Sequence, residues 1–510
     1  MTTNTIDVVD SLSLLSLKVA SNVFDLSSGL HHISIRDQMV RAQLAVRDLK
    51  RGDPELDSLL IVGAGVAGIA AALEAEARGV RSVVVVEAAA QPFSLLRGVT
   101  ERYIGPFMYE WPSSFSGDQS YPEHGATPWS GRSASPLQWQ HVQPVCADVF
   151  ADMLTAGLAA KLHALPPHGA SPLTICVGVN KHYISRFVGD FAKNEAARAM
   201  SRLQNQTPSG PLCFGYWNDA VWPGLNPAQA TITPQYILLA AGMGKETIRL
   251  VKDDIDGKPY VGPNYDGEPF WGNDGLMASA NVNRQVSVFG GGDGALQDVL
   301  RALTHRDHPL QFIVFLEQDA VTRAALDDVR ATLLSADRQG RQFGAWTVRN
   351  AEYRTVDETC IAIADKLAKI PDVVQRVSQG IVRGTGTVSL FVRGANFDKA
   401  YLLNRFLVHL IHACQAVAGA NWTGRVKFDV RFRHRAVAYR AATGGGHEVT
   451  ILKEDAPTSS FDHACDVIAV RYGIEPGSVP GAQLIQVSKN RSRQRTTLAR
   501  VELPFVAEKD

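Results

Sequence analysis

The stretch that most constrains this chain is SLLIVGAGVAG, residues 58–68. Its apolar run at 59–62 predicts a short buried strand, and the Ala-rich run at 66–78 predicts a helix. Residues 82–86 are β-branched and apolar on both faces, as a strand of a parallel sheet is. The order of strand, glycine turn, helix and strand predicts a βαβ unit, and therefore an α/β fold with a parallel sheet.

The glycines between strand and helix have the spacing G-x-G-x-x-G. They are Gly63, Gly65 and Gly68. The first permits a tight turn, the second lets a diphosphate approach the backbone, and the third lets helix and strand pack closely. An acid, Glu87, ends the next strand about 20 residues on, where a partner for a ribose 2′-hydroxyl is expected. This combination predicts a dinucleotide site at the helix N-terminus, formed by Gly63, Gly65, Val66, Ala67, Gly68 and Glu87.

A second copy of the pattern occurs in VSVFGGGDGALQDVL, residues 286–300. It predicts a strand at 286–289, a glycine turn and a helix at 293–304, followed by a strand at 312–316 that ends at Glu317. The site residues predicted here are Gly290, Gly292, Asp293, Ala295 and Glu317. Two such motifs in series predict a pair of bound cofactors that exchange electrons.

Together these motifs resemble the two-dinucleotide-binding-domain flavoproteins, the superfamily of thioredoxin reductases and flavin-dependent monooxygenases. The resemblance implies that IVGAGVAG with Glu87 binds the ADP part of FAD, and that FGGGDGAL binds NAD(P)H. The segments YILLAAG, which ends at Gly242, and DVIAVRYG, 466–473, resemble the strands that close each nucleotide-binding unit. Three features depart from the family: Gly294 replaces a serine, RYG replaces ATG, and no Gly-Asp return segment follows Gly473.

The resemblance implies an α/β fold of two Rossmann-like, three-layer dinucleotide-binding domains with a helical N-terminal extension. We place the extension at 1–55 and the FAD-binding domain at 56–250. The second, NAD(P)-binding-like domain spans 251–475, with a helical insert at about 320–415, and a tail follows at 476–510. In the extension, residues 11–21 and 35–49 have apolar residues at helical spacing, which predicts packing on the main body; binding of a protein partner is the alternative.

An insert rich in proline and aromatic residues spans 91–135. Its candidates for the flavin face or a substrate pocket are Tyr109, Trp111, His124 and Trp129. The alternative is that these rings only anchor the loop, because aromatic rings carry much apolar area wherever they lie. Arg97 and Arg102 are candidates to neutralise the diphosphate.

The choice between nicotinamide cofactors depends on the end of the second strand in the second motif. A 2′-phosphate requires Arg or Lys there, whereas a carboxylate accepts from a 2′-hydroxyl. Glu317 therefore favours NADH, although Arg323 lies close to it in sequence.

The formal net charge is zero, which argues against a nucleic-acid-binding protein, since such a protein shows a basic excess. None of the six cysteines forms a CxxC pair, which argues against a metal site and a dithiol reductase. The N-terminus carries acids where a signal peptide is basic, and the longest apolar runs are too short for a bilayer. These features predict a cytoplasmic protein that contacts neither membrane nor nucleic acid.

Three functions follow as expectations. The first is an FAD-dependent oxidoreductase that takes hydride from NAD(P)H and passes electrons to oxygen, as a monooxygenase, or to another small-molecule acceptor. The second is a flavin oxidase that works without nicotinamide, with a degenerate second motif. The third is a nucleotide-sensing or scaffold protein that retains the fold without turnover.

Overall fold

The computed structural model describes residues 14, 17–26, 35–105, 111, 137, 143–164, 173–217, 229–252, 254–255, 258–344, 351–475 and 478. Within them, two mostly parallel sheets are each covered by helices. No helix in this part of the chain is long and apolar enough to cross a bilayer.

The first unit is built around a sheet of six strands, in the order β1-β2-β10-β3-β4-β7. The elements of this unit, in chain order, are β1 (Lys18–Ala20), β2 (Val23–Asp25), α1 (Ile35–Gly52), β3 (Ser58–Val62), α2 (Val66–Ala77), β4 (Ser82–Val86), β5 (Tyr103–Ile104), β6 (Val145–Cys146), α3 (Ala147–His163), β7 (Leu173–Cys176), α4 (Lys181–Leu203), β8 (Phe214–Trp217), β9 (Gln229–Ile232) and β10 (Tyr236–Leu239).

Alternate residues of these strands enter two different cores, because successive side chains of a strand point to opposite faces. Leu59 and Ile61 pack with α1, α2 and α3 on one face. Leu60 and Val62 pack with α4 on the other face. The strands are therefore apolar on both sides, as the β-branched sequence predicts.

The second unit has a sheet of four parallel strands, in the order β15-β14-β13-β19. The elements of this unit are β11 (Asp254–Ile255), β12 (Lys258–Pro259), β13 (Gln285–Phe289), α5 (Asp293–Thr304), α6 (Pro309–Glu317), α7 (Ala320–Gly344), α8 (Ala351–Leu367), α9 (Pro371–Gly380), β14 (Thr387–Val392), α10 (Leu402–Ala418), β15 (Lys427–Phe432), β16 (His434–Ala441), β17 (His447–Lys453), β18 (Ala456–Cys465) and β19 (Val467–Val470). Helices cover one face, and the antiparallel sheet β16-β17-β18 covers the other.

The two units share one strand order. The parallel run β7-β4-β3-β10 corresponds to β15-β14-β13-β19, with the glycine-motif strand third in each. The carboxyl ends of the strands meet at one edge, where Val62 stands between Val86 and Leu239. In open α/β sheets ligands bind at this edge, and each glycine motif lies there.

The N-terminal segment is part of the first unit, although residues 1–13 lie outside the described residues. Helix α1 packs against α2 in the same core, as predicted. The helical spacing predicted for residues 11–21 is wrong at its end, since Lys18–Ala20 is a strand. It pairs with β2, which in turn pairs with β10, so the hydrogen bonds to β2 keep these residues extended at the edge of the sheet.

The strand predicted at 312–316 is wrong, because Pro309–Glu317 is a helix. Pro309 occupies its first turn, and the His308 ring accepts a hydrogen bond from the Leu310 N–H at 3.1 Å. Both are helix-starting signals. The parallel neighbour of β13 is instead β14, which lies inside the insert predicted to be helical.

Candidate functional site

The first glycine loop is closely packed at two of its three glycines. A Cβ built on Gly63, whose φ is +106°, would lie 2.3 Å from the Ala240 carbonyl oxygen. One built on Gly68 would lie 1.8 Å from the Gly63 carbonyl oxygen. Both positions therefore require glycine for the contact between the loop, α2 and β10.

The middle glycine is open. A Cβ built on Gly65 would meet no atom within 4 Å. Gly65 precedes α2 without a side-chain cap, and no acid lies in the first turn of this helix. The first N–H groups of a helix lack partners within it, so those of Val66 and Ala67 present positive partial charge beside Gly65. This arrangement suits an anion such as a diphosphate.

The Glu87 carboxylate is fixed at the same loop. One oxygen accepts a hydrogen bond from the Ala64 N–H at 2.8 Å, and the other accepts one from the Ala89 N–H at 2.8 Å. A carboxylate has about four acceptor positions, so two remain for a ligand. The sequence predicts Glu87 at the ribose, and the structure shows that its carboxylate also holds the loop.

Gly242 lies beyond β10, beside the first loop. Its φ is +87°, and an added Cβ would meet no atom within 4 Å.

The Arg97 guanidinium contacts two side chains of α3. It pairs with Asp152 and donates to Thr155 Oγ1 at 2.5 Å. The structure therefore gives Arg97 a role in joining the loop to α3, and its contact with a diphosphate remains a prediction.

Trp111 lies in the helical core of the second unit. It is 3% exposed, stacks on Phe406 with ring centroids 5.3 Å apart, and its indole N–H donates to Glu317 at 3.5 Å. These contacts support the anchoring alternative for Trp111. The other three aromatic candidates, Tyr109, His124 and Trp129, lie outside the described residues.

The second glycine loop is covered. A Cβ on Gly290, whose φ is +145°, would lie 2.1 Å from the Arg471 carbonyl oxygen, and one on Gly292 would lie 3.3 Å from the Lys399 carbonyl oxygen. Burial raises the pKa of the Asp293 carboxyl group. Ala295 is fully buried in the helical core.

The Asp293 carboxylate is engaged by groups of the chain itself. One oxygen accepts from the Tyr401 N–H at 3.0 Å and from the Asn404 amide at 2.7 Å, and the other accepts from the Gln297 amide at 3.0 Å.

Glu317 is not at the edge of the second sheet. It ends α6 and pairs with Arg330 at 2.6 Å. The strand beside β13 is followed by Arg393, which pairs with Glu454 at 3.0 Å, as Arg435 does at 2.8 Å. An arginine at this position suits a 2′-phosphate, so the reason for favouring NADH disappears.

A buried cluster of charges, which we call the clamp, joins the two units. It consists of Arg102 from the first unit and Asp274, Asp298, Arg301 and Arg471 from the second. The structure therefore gives Arg102 a role in joining the two units, and its contact with a diphosphate remains a prediction. One member of the clamp was visible in the sequence. Arg471 is the arginine of the segment RYG, which stands where the family has ATG.

Asp298 is the centre of the clamp. It is fully buried on α5 and contacts Arg102, Arg301 at 2.9 Å and Arg471 at 2.7 Å. Burial alone would raise the pKa of this carboxyl group, but the charges of Arg102, Arg471 and Arg301 outweigh burial and hold it well below the ordinary range.

Backbone contacts reinforce the clamp. The Asn273 side chain accepts from the Thr100 N–H at 2.9 Å, and Glu101 accepts from the Gly275 N–H at 2.6 Å. The loop that follows β4 is therefore fixed to the second unit.

No protein-family model matches the sequence, and no curated protein is significantly similar to it. Among solved structures, the chain is similar to thioredoxin reductase from Lactococcus lactis, at 9% identity and a TM-score of 0.31, over 82% of this chain and 78% of that one. It is similar to an FAD-bound cadaverine monooxygenase from Erwinia amylovora, at 9% identity and a TM-score of 0.35, over 85% and 82% of the two chains.

It is also similar to an ornithine N-hydroxylase from Kutzneria sp. 744, at 14% identity and a TM-score of 0.34, over 83% of each chain.

Proposed function

We propose that this chain is an FAD-dependent oxidoreductase, and that the first glycine loop holds the diphosphate of FAD. The observation that carries the proposal is the open position beside Gly65, at the uncapped N-terminus of α2. The bound flavin would supply the redox chemistry, and the protein would supply binding and orientation.

Each group of the loop has a separate task in this proposal. The N–H groups of Val66 and Ala67 donate to the diphosphate, and Gly65 lets it approach. Glu87 uses its remaining acceptor positions for the ribose hydroxyls, while its existing bond to Ala64 keeps the loop in place. Gly63 and Gly68 serve the packing that positions these groups.

Replacing Glu87 by Ala should weaken both the loop and FAD binding. The Ala64 N–H would lose its acceptor, which lowers the free energy of unfolding by about 1–3 kcal/mol. Denaturant unfolding and quenching of flavin fluorescence measure the two effects. Glu76→Ala, near the C-terminal end of α2, is the control and should change neither the stability nor the FAD affinity. Unchanged FAD affinity in Glu87→Ala would remove this residue from the site.

The electron donor divides the proposal in two. In the first form, NAD(P)H bound at the second motif reduces the flavin, and oxygen or another acceptor reoxidises it. In the second form, an organic substrate reduces the flavin directly, without nicotinamide. A specific observation favours the second form, because the Asp293 N–H donates to the Lys399 carbonyl at 3.0 Å, at the place where a phosphate would bind.

Anaerobic mixing of the flavin-loaded protein with NADH and then with NADPH separates the two forms. We expect the oxidised flavin bands to persist with both, since the second loop is covered. Rapid bleaching by either nucleotide would establish the NAD(P)H-dependent form. Tight FAD binding with no reduction by nicotinamide or by a panel of amines and alcohols would favour the sensing or scaffold alternative.

A further inference from the structure

A short segment of the chain lies across the second glycine loop. We call it the strap, residues 397–401. The Asp398 N–H donates to the Gly291 carbonyl at 2.7 Å, and the Lys399 carbonyl accepts from the Asp293 N–H at 3.0 Å. The strap thus binds the loop through a donor on one side and an acceptor on the other.

The first unit provides an internal comparison, because the two glycine motifs align residue by residue. There, the Phe93 N–H donates to the Ala64 carbonyl at 3.0 Å, as Asp398 donates to Gly291 in the second unit. The two glycine loops differ at the next contact. Gly65 faces open space, whereas its counterpart Gly292 faces the Lys399 carbonyl oxygen.

The helix N-termini differ in the same way. The N–H of Asp293, the counterpart of Val66, already has the Lys399 carbonyl as its acceptor. A carbonyl oxygen in this position does what a phosphate oxygen does in a dinucleotide complex. The Asp293 carboxylate also accepts from the Tyr401 N–H, so helix and strap hold each other at two points.

Buried charges on two helices hold the strap in place. Asp357 on α8 accepts from the Phe397 N–H at 2.5 Å and pairs with Arg405 on α10 at 2.5 Å. Arg405 is fully buried and donates to the Asp398 carbonyl at 2.5 Å. Lifting the strap would remove the Phe397 N–H from Asp357 and the Asp398 carbonyl from Arg405, and the loss of hydrogen bonds to buried charged groups is unfavourable.

We infer that the second unit keeps the frame of a dinucleotide site but binds no nicotinamide dinucleotide through its glycine motif. The strap occupies the diphosphate position and is a permanent cap of α5. This inference deepens the proposed function, because it leaves the first loop as the cofactor site and excludes hydride donation from the second.

Hydrogen exchange of the full-length, FAD-loaded protein tests the inference. We expect the amides of 291–296 to be protected in the free protein and to remain unchanged when NAD+ or NADP+ is added at millimolar concentration. Titration calorimetry with the same two nucleotides should give no heat of binding. Added protection of 291–296, or micromolar binding that Gly292→Val removes, would overturn the inference.

A variant tests the strap directly. Asn404→Ala removes one donor to Asp293 and should speed exchange of 291–296 and of 397–401 together by about tenfold, the loss of one hydrogen bond. Glu358→Ala, an exposed change beside Asp357 on α8, should leave both unchanged. Faster exchange in the strap alone would show that it does not cap α5.

FAD binding at the first loop is measured separately from the strap, by the exchange of different amides. Protection of 64–69 on adding FAD to the cofactor-free protein tests the proposed function, whereas the amides of 291–296 test the strap. Failure of one therefore leaves the other measurable.

Discussion

Replacing Gly65 by Val is expected to give a folded protein that no longer retains FAD. A Cβ at this position meets no atom of the chain, so the fold should tolerate the larger side chain. The isopropyl group would, however, fill the space that the diphosphate needs. Loss of two hydrogen bonds to a charged group, at about 1.5–3 kcal/mol each, lowers FAD affinity by at least about 100-fold.

The matched change is Gly292→Val in the second motif, which should leave FAD affinity as it is. Gly68→Ala is a second comparison, because its Cβ would clash with the Gly63 carbonyl oxygen and destabilise the whole unit. Circular dichroism measures folding, and equilibrium dialysis measures FAD binding. Gly65→Val protein that binds FAD like the wild type would contradict the placement of the diphosphate.

Replacing Asp298 by Asn is expected to destabilise the protein severely. Among the described residues, Asp298 and Asp274 both pair with the three buried arginines of the clamp. Replacing Asp298 by Asn therefore leaves one of these two carboxylates to balance three guanidinium groups. Removing one partner from a buried ion pair costs about 3–5 kcal/mol, because the remaining charge stays buried without compensation. Denaturant unfolding of wild type and variant measures the difference.

Asp152→Asn is the control, because Asp152 makes an exposed pair with Arg97. An exposed pair contributes about 0–1 kcal/mol. If Asp298→Asn lowered the free energy of unfolding by as little as the control does, the clamp would not hold the units together.

The clamp also predicts how stability depends on pH. The folded-state pKa of Asp298 lies below the ordinary value of 3.8, so the charged form stabilises the fold above about pH 4. This stabilisation is lost as the pH falls from about 4 toward the folded-state pKa. We expect wild-type stability to fall steeply in this acid range and Asp298→Asn to show a shallower fall. Equal slopes would contradict the role of the charge.

Local patterns predicted much of the fold. The first βαβ unit and helix Asp293–Thr304 lie where the glycine spacing and apolar periodicity placed them. The strand predicted at 312–316 was wrong, because a short apolar run fits a buried strand or a helix equally well. The strand that pairs with β13 in its place, Thr387–Val392, lies about 100 residues further along the chain, and pairing over such a distance leaves no local signal.

The site was predictable where its groups come from one βαβ unit and not where they come from distant segments. Glu87 followed from its position after β4, but its bond to Ala64 depends on the folded loop. Arg102 and Asp298 are far apart in sequence and meet only when the units dock. The strap contact with Asp293 likewise depends on how α8 and α10 fold, which the motif at 286–300 does not specify.

The absorption spectrum of the purified protein, before and after incubation with FAD, measures whether the first glycine loop holds this cofactor. We expect flavin bands that remain with the protein through gel filtration, and that are absent from Gly65→Val prepared in the same way. A folded wild-type protein that stays colourless after incubation with FAD would contradict the claim that the first glycine loop holds this cofactor.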